Sequence, residues 1–238
     1  MRALLIALPV IALYVALAAV TFVPLTWIIR DIRPIYWVAR QGCRLALALA
    51  GVRVRFVNLE NTRKHRVSIF VSNHVSNLEP PALLAVLPRI AFILKKELRR
   101  IPLLGYIMGL GSFIYVDRTR ADSRHHALEQ AKQTLANGVS LMIFPEGTRS
   151  RDGKLLPFRP GPFTMAIETG APLTPITVHG ARRLMPKGSL KVHPGEMTIW
   201  FHEPIETEGL NDADRGKLIE RVRAVMEEAL ETGPPAAN

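Results

Sequence analysis

From Ala3 to Ile29 the chain carries no charged residue for 27 positions, and no other feature of its 238 residues restricts the fold as strongly. A bilayer core takes roughly 20 apolar residues in a helix. At about 1.5 Å per residue the run reaches about 40 Å, enough to cross with tilt. Pro9 and Pro24 are expected to kink or end helices locally. A cleaved leader could use Ala16-Leu17-Ala18. However, only Arg2 precedes the run, and its apolar residues continue through Phe22, Leu25 and Ile29. Residues 1–50 therefore read as a retained membrane anchor or an interfacial two-helix motif. Arg30, Arg33, Arg40 and Arg44 follow the run, and Trp27, Tyr36 and Trp37 stand where interfacial aromatics belong. The positive-inside rule then puts the rest of the chain on the cytoplasmic side, against an anionic membrane surface.

Beyond residue 50 the pattern changes. Short β-rich runs at Val52–Val57, Val67–Ser72, Ile90–Leu94, Ser112–Val116, Val139–Phe144, Leu173–Val178 and Met197–His202 alternate with helical stretches. Asp122–Ala136 reads as a helix capped by Asp122 or Ser123 and stopped by Gly138. Asp212–Leu230 reads as another, with Leu218, Val222, Val225 and Ala229 on one stripe. Strands alternating with helices predict an α/β domain over residues 51–238, with a mostly parallel sheet flanked by helices. Ligands of such sheets gather where strands end and loops begin.

Composition narrows the chemistry. Lys and Arg number 31 against 20 Asp and Glu, a net charge of +11 that favours polyanions, anionic lipid or phosphorylated substrates. Nucleic acid is disfavoured, because aromatics are only 7% and most Tyr and Trp lie near the membrane segment. A single cysteine, Cys43, excludes an intramolecular disulfide and a Cys-rich zinc site, and no His/Cys/Asp cluster has metal-ligand spacing.

Three strand-end loops carry candidate chemistry. In Asn73-His74-Val75-Ser76-Asn77-Leu78-Glu79-Pro80-Pro81, an imidazole could act as base while a carboxylate five residues on holds its other nitrogen. The two prolines would stiffen that turn. Phe144-Pro145-Glu146-Gly147-Thr148-Arg149-Ser150 offers a tight Gly turn and a planar guanidinium suited to phosphate. Gly111–Arg118 ends a further strand with a second Arg. His179, His193 and His202, also near strand ends, read as structural.

Together these loops resemble the glycerolipid acyltransferases, most of all the bacterial lysophosphatidic acid acyltransferases. That family carries Asn-His-x-x-x-x-Asp, Gly-x-x-Phe-Ile-x-Arg, Phe-Pro-Glu-Gly-Thr-Arg-Ser and a Val-Pro-type strand. Here they stand as Asn73-His74 with Glu79 in the Asp position, Gly111-Phe113-Ile114-Arg118 with one extra residue, the complete block Phe144–Ser150, and Thr174-Pro175-Ile176. Phe158-Arg159-Pro160-Gly161 resembles a further Phe-Lys-x-Gly step. The resemblance implies acyl transfer from acyl carrier protein or coenzyme A to the sn-2 hydroxyl of lysophosphatidic acid, without metal or cofactor. It implies His74 as base, Glu79 as its orienter, and Arg118 and Arg149 on the acceptor phosphate. Glu146, Gly147 and Thr148 would position the glycerol backbone or the loop itself. Backbone amides near Asn73–Ser76 or around Gly147 are the candidate oxyanion donors. It also implies the inner membrane of a bacterium, with the catalytic part on the cytoplasmic face. Another lysolipid acceptor, such as a lyso-ornithine lipid, and a non-catalytic lipid-binding member of the fold are the alternatives.

Overall fold

The apolar run forms one helix, α1 (Arg2–Ile29), in a computed structural model that describes residues 2–87, 89–100, 104–111, 113–116 and 121–236. Neither Pro9 nor Pro24 ends it. Each removes a single N–H, which a helix of 28 residues rich in Ala, Leu and Val absorbs. Over Pro9–Ile29 it is long and apolar enough to cross a membrane, and almost none of that stretch is buried in the protein. A turn at residues 30–32 leads into α2 (Arg33–Leu49), which folds back on α1. Tyr14 donates from its hydroxyl to the Val38 carbonyl at 2.7 Å, and Phe22 and Trp37 pack with ring centroids 6.3 Å apart. A Cβ at Gly42 would stand 2.7 Å from the Tyr14 ring, so the absent side chain sets how closely the two helices approach.

α2 is amphipathic, and its inner stripe faces protein rather than lipid. Ile35, Tyr36, Val38 and Leu47 are buried. The Tyr36 hydroxyl donates to the carbonyls of Ile90 (3.0 Å) and Gly111 (2.6 Å), so Tyr36 is not an interfacial aromatic. Arg40 and Arg44 are also redirected: Arg40 donates to the Val86 carbonyl at 3.2 Å and Arg44 to that of Ala85 at 3.2 Å. They satisfy carbonyls at the C-terminus of a neighbouring helix, where cations are favoured. Trp27 and Trp37 remain exposed, as expected of interfacial aromatics.

All seven expected strands form: β1 (Val52–Val57), β2 (Ile69–Ser72), β3 (Ile90–Lys95), β4 (Ile114–Val116), β5 (Ser140–Ile143), β6 (Leu173–His179) and β7 (Gly195–Phe201). They make a single sheet in the order β1-β7-β6-β2-β5-β3-β4, parallel throughout except where β6 meets β7. β2 is buried along its whole length, as the apolar run Ile69-Phe70-Val71 requires at the centre of a sheet covered on both faces. Between the strands lie α3 (Glu79–Val86), α4 (Leu104–Leu110), α5 (Ala121–Ala136), α6 (Gly161–Thr169), α7 (Ala181–Leu184) and, last, α8 (Arg215–Thr232).

Two of these helices start differently from expectation. α5 begins at Ala121, which places Asp122 and Ser123 inside its first turn rather than at its cap. The 212–230 segment divides into a short turn at Asp212–Asp214, closed by an Asn211/Asp214 capping box, and α8 proper. One face of the sheet carries α2 and α3 over Phe70, Met142, Ile176 and Ile199. The other carries α5, α6 and α8 over Ile69, Val71, Leu141 and Leu173.

Candidate active site

Parallel β2 and β5 deliver their C-terminal ends to the same edge, and that alone brings the Asn73 loop against the Phe144 loop. Asn73 continues β2 and is wholly buried. Its amide donates to the Val178 carbonyl at 3.1 Å, and its Oδ1 accepts from the Val178 N–H at 2.7 Å. This clamp to β6 turns the next residue, His74, onto the α2–α3 face. There the imidazole stacks on Phe144, with centroids 4.0 Å apart and planes at 18°.

Glu79 stands at the first position of α3 rather than in a stiffened turn, and Pro80-Pro81 start that helix. Proline suits a first turn, where its missing N–H is not needed. One carboxylate oxygen meets His74 Nδ1 at 2.5 Å, and the other accepts from the amides of Val75 and Ser76 at 2.8 Å each. Its side chain is completely buried, while 17% of the His74 side chain stays exposed. Burial pushes the Glu79 carboxyl up from the usual range; His74 and the two amides pull it back. A carboxylate on Nδ1 fixes the tautomer that leaves Nε2 free to accept a proton. The extra methylene of Glu relative to Asp is accommodated, because the carboxyl still reaches the ring and both amides.

The Phe144–Ser150 loop grips the backbone of His74. Glu146 Oε1 accepts from the His74 N–H at 2.7 Å, and its Oε2 accepts from Leu156 N–H at 2.9 Å. The Ser150 amide donates to the His74 carbonyl at 2.7 Å. Glu146 is thus buried and engaged at both oxygens, which assigns it to holding the loop rather than touching a glycerol backbone. Gly147 has φ 71°, and a Cβ there would come within 2.5 Å of Arg159 Nε. Only glycine lets Arg159 lie across the turn, while the Arg159 amide donates to Pro145 O at 2.8 Å.

The expected oxyanion donors are mostly spent. The amides of His74, Val75 and Ser76 serve Glu146 and Glu79, and that of Gly147 donates to Phe144 O at 3.0 Å. Arg149 is half-buried and leaves its Nη1 buried without a partner among the described residues. Thr148 is exposed, its hydroxyl accepting from Lys187 Nζ at 3.1 Å. Lys187 also donates to Arg149 O at 2.7 Å. No motif points to Lys187, which arrives from a distant loop; only tertiary structure reveals it. Arg118 lies outside the described residues. Among those described, no group of acidic, His or Cys side chains could hold a metal.

An apolar cavity of about 400 Å³ extends beside this site between α1, α2 and the sheet. Pro80, Pro81, Phe92 and Phe113 line it, and Phe92 stacks on Phe144 with centroids 6.5 Å apart. Cys43 lines the same cavity, where burial pushes its thiol up to about 11 and removes its nucleophilicity at neutral pH.

Glu146 has a testable electrostatic signature. Burial, with a smaller contribution from neighbouring Glu79, raises its carboxyl from 4.5 to about 7. The folded protein therefore holds this proton more tightly than the unfolded chain. The associated stability is complete below about pH 4.5 and is lost as pH rises through 7, about 3 kcal/mol in all. Unfolding midpoints measured from pH 5 to 8 should fall in the wild type, and Glu146→Gln should lack that component. Parallel profiles for the two proteins would refute it.

The sequence pattern of the Acyltransferase family matches residues 53–179. The chain is 35% identical over 161 residues to a chloroplastic 1-acyl-sn-glycerol-3-phosphate acyltransferase of Brassica napus, covering 66% of this chain and 47% of that protein. It is 32% identical over 180 residues to the human 1-acyl-sn-glycerol-3-phosphate acyltransferase alpha, covering 75% and 64%. The chain thus spans about half the length of the plant relative. The crystal structure of the 1-acyl-sn-glycerophosphate (LPA) acyltransferase PlsC from Thermotoga maritima superposes with a TM-score of 0.77 at 29% identity, covering 99% of this chain and 98% of that one.

Proposed function

The chain belongs to the acyltransferase family, and from that membership we propose that it transfers an acyl group from acyl carrier protein or coenzyme A to the sn-2 hydroxyl of lysophosphatidic acid, giving phosphatidic acid. The observation that carries this reading is the His74–Glu79 pair, set beside an apolar cavity whose lining begins at Pro80 and Pro81, the next residues after Glu79. Beside it, the loop holding His74 bears a guanidinium nitrogen that has no partner among the described residues. In the proposed reaction the acceptor hydroxyl gives its proton to His74 Nε2 as its oxygen attacks the thioester carbonyl. Glu79 stabilises the imidazolium that forms, and the collapsing tetrahedral intermediate expels the thiolate, which takes a proton in turn. The acceptor alcohol is itself the nucleophile, so no acyl-enzyme is required. The cavity accepts an acyl chain, and Arg149, with Arg118, holds the acceptor phosphate by charge-assisted hydrogen bonds. No cofactor or metal enters.

α1, with exposed Trp27, and α2, with exposed Trp37, dock residues 51–238 on the cytoplasmic leaflet of a bacterial inner membrane, where acceptor and product reside. The test is a transfer assay with purified protein in mixed micelles. It offers lysophosphatidic acid and a lyso-ornithine lipid as acceptors, each with acyl-coenzyme A and acyl-carrier protein. Phosphatidic acid should form; a folded protein that acylates neither acceptor would sink the reading, and preference for the phosphate-free lipid would change the acceptor. In the same assay Arg149→Ala should raise the KM for lysophosphatidic acid about tenfold or more, as loss of a charge-assisted contact predicts, and leave that of the donor nearly unchanged. An unaltered acceptor KM would place the phosphate elsewhere.

A further inference from the structure

A second cavity, of about 530 Å³, opens at the same end of the sheet on the face covered by α8, and the reaction described above makes no use of it. Its floor is a cross-strand row: Arg55 on β1, Thr198 on β7 and His179 on β6 stand opposite one another in register. Arg182 and Arg183, on α7, add two exposed guanidinium groups to the rim. Among the described residues three arginines and one carboxylate, Glu196, line the cavity, which leaves it positive.

The arginines are only partly satisfied. Arg55 donates to Thr198 Oγ1 at 3.3 Å and to Pro235 O at 2.7 Å, and Arg182 to Arg151 O at 3.0 Å. The Arg183 side chain has no partner among the described residues. His179 Nε2 is buried and also lacks one. Burial, reinforced by Arg55, holds that imidazole below its ordinary pKa, so it stays neutral beside the cations. Planar guanidinium groups around an open polar cavity can grip the oxygens of a phosphate with paired, charge-assisted hydrogen bonds.

The cavity also abuts the catalytic loops. Asn73 and Val75, the residues on either side of His74, line it, as does Gly153, which follows the Phe144–Ser150 loop. The Cβ position of Gly153 lies 3.4 Å from Arg182 Nε. An anion here would sit behind the His74 loop, across the sheet from the apolar cavity.

We propose that this cavity is a binding site for a phosphate group, separate from the acceptor's site and occupied by the phosphorylated arm of the acyl donor. It rests on the transfer reaction proposed above, in which either donor carries a phosphopantetheine phosphate while the acceptor phosphate is held at Arg149. Coenzyme A and inorganic phosphate are the probes, titrated calorimetrically into the full chain in detergent micelles. Arg183→Gln should weaken coenzyme A binding about tenfold or more, equivalent to about 1.4 kcal/mol, and Arg183→Lys should recover most of it. Inorganic phosphate should compete with coenzyme A in the wild type, and the KM for lysophosphatidic acid should not move.

Arg183 is exposed, so a wild-type unfolding midpoint is expected in both variants; Arg55→Gln serves as a second probe of the row. Equal coenzyme A affinity in the wild type, Arg183→Gln and Arg55→Gln would overturn the site. A raised acceptor KM with unchanged coenzyme A affinity would assign the phosphate to the acceptor and overturn the proposal. Phosphate binding that coenzyme A fails to displace would overturn the donor as its source. Arg183-dependent coenzyme A binding in a protein that acylates no lysolipid would instead overturn the transfer reaction and leave the phosphate site standing.

Discussion

Replacing His74 with alanine should leave a folded protein whose acyl transfer is slower by roughly 10²–10⁴-fold, the usual contribution of a positioned general base. The ring stacks on Phe144 and, among the described residues, its side chain bonds Glu79; the buried Glu79 carboxyl loses that partner but keeps the amides of Val75 and Ser76, so the fold survives with some loss of stability. Glu79→Gln should fall almost as far. It replaces the acceptor for Nδ1–H with a group that can present an amide, and it weakens the hold on Val75 and Ser76. Glu79→Asp should keep a substantial part of the rate, since the carboxylate survives on a shorter stem. Initial rates with matched circular dichroism spectra check all three. A folded His74→Ala protein with near-normal turnover would remove the base from the mechanism, and a wild-type Glu79→Gln would remove its orienter.

Asn73→Ala should act on stability. The side chain satisfies both backbone groups of Val178 within a fully buried strand junction, and alanine leaves an N–H and a carbonyl without partners. At about 1–3 kcal/mol for each buried group left unpaired, the loss is about 3 kcal/mol. For a chain of this size that lowers the Tm by about 6–12 °C. Differential scanning calorimetry reads it directly. A midpoint within error of the wild type would show that β6 holds the His74 loop by other contacts.

Much of the architecture was legible because its signals are local. Seven runs rich in Val, Ile, Leu and Phe became seven strands, with β1 matching Val52–Val57 at both ends. Gly138 ends α5, and Gly233 follows α8. The short helices α6 and α7 carry no such signal, since nine and four residues give too few turns for a 3.6-residue period to stand out. Pro80-Pro81 also suggested a turn, although the same pair suits the start of a helix.

The His74–Glu79 pair, too, was legible, being five residues apart at a strand's end, so chain geometry nearly dictates its approach. The apolar run, the basic excess and the complete Phe144–Ser150 block likewise belong to the sequence alone. The partners lay beyond it. Glu146 turns to the backbone of His74, Lys187 crosses from another loop to Thr148 and Arg149, and Arg40 and Arg44 reach the carbonyls of α3. A charge in a sequence states only that it needs a counterpart or water. Which backbone carbonyl, hydroxyl or cavity supplies it depends on strand order, and the order β1-β7-β6-β2-β5-β3-β4 interleaves segments more than a hundred residues apart.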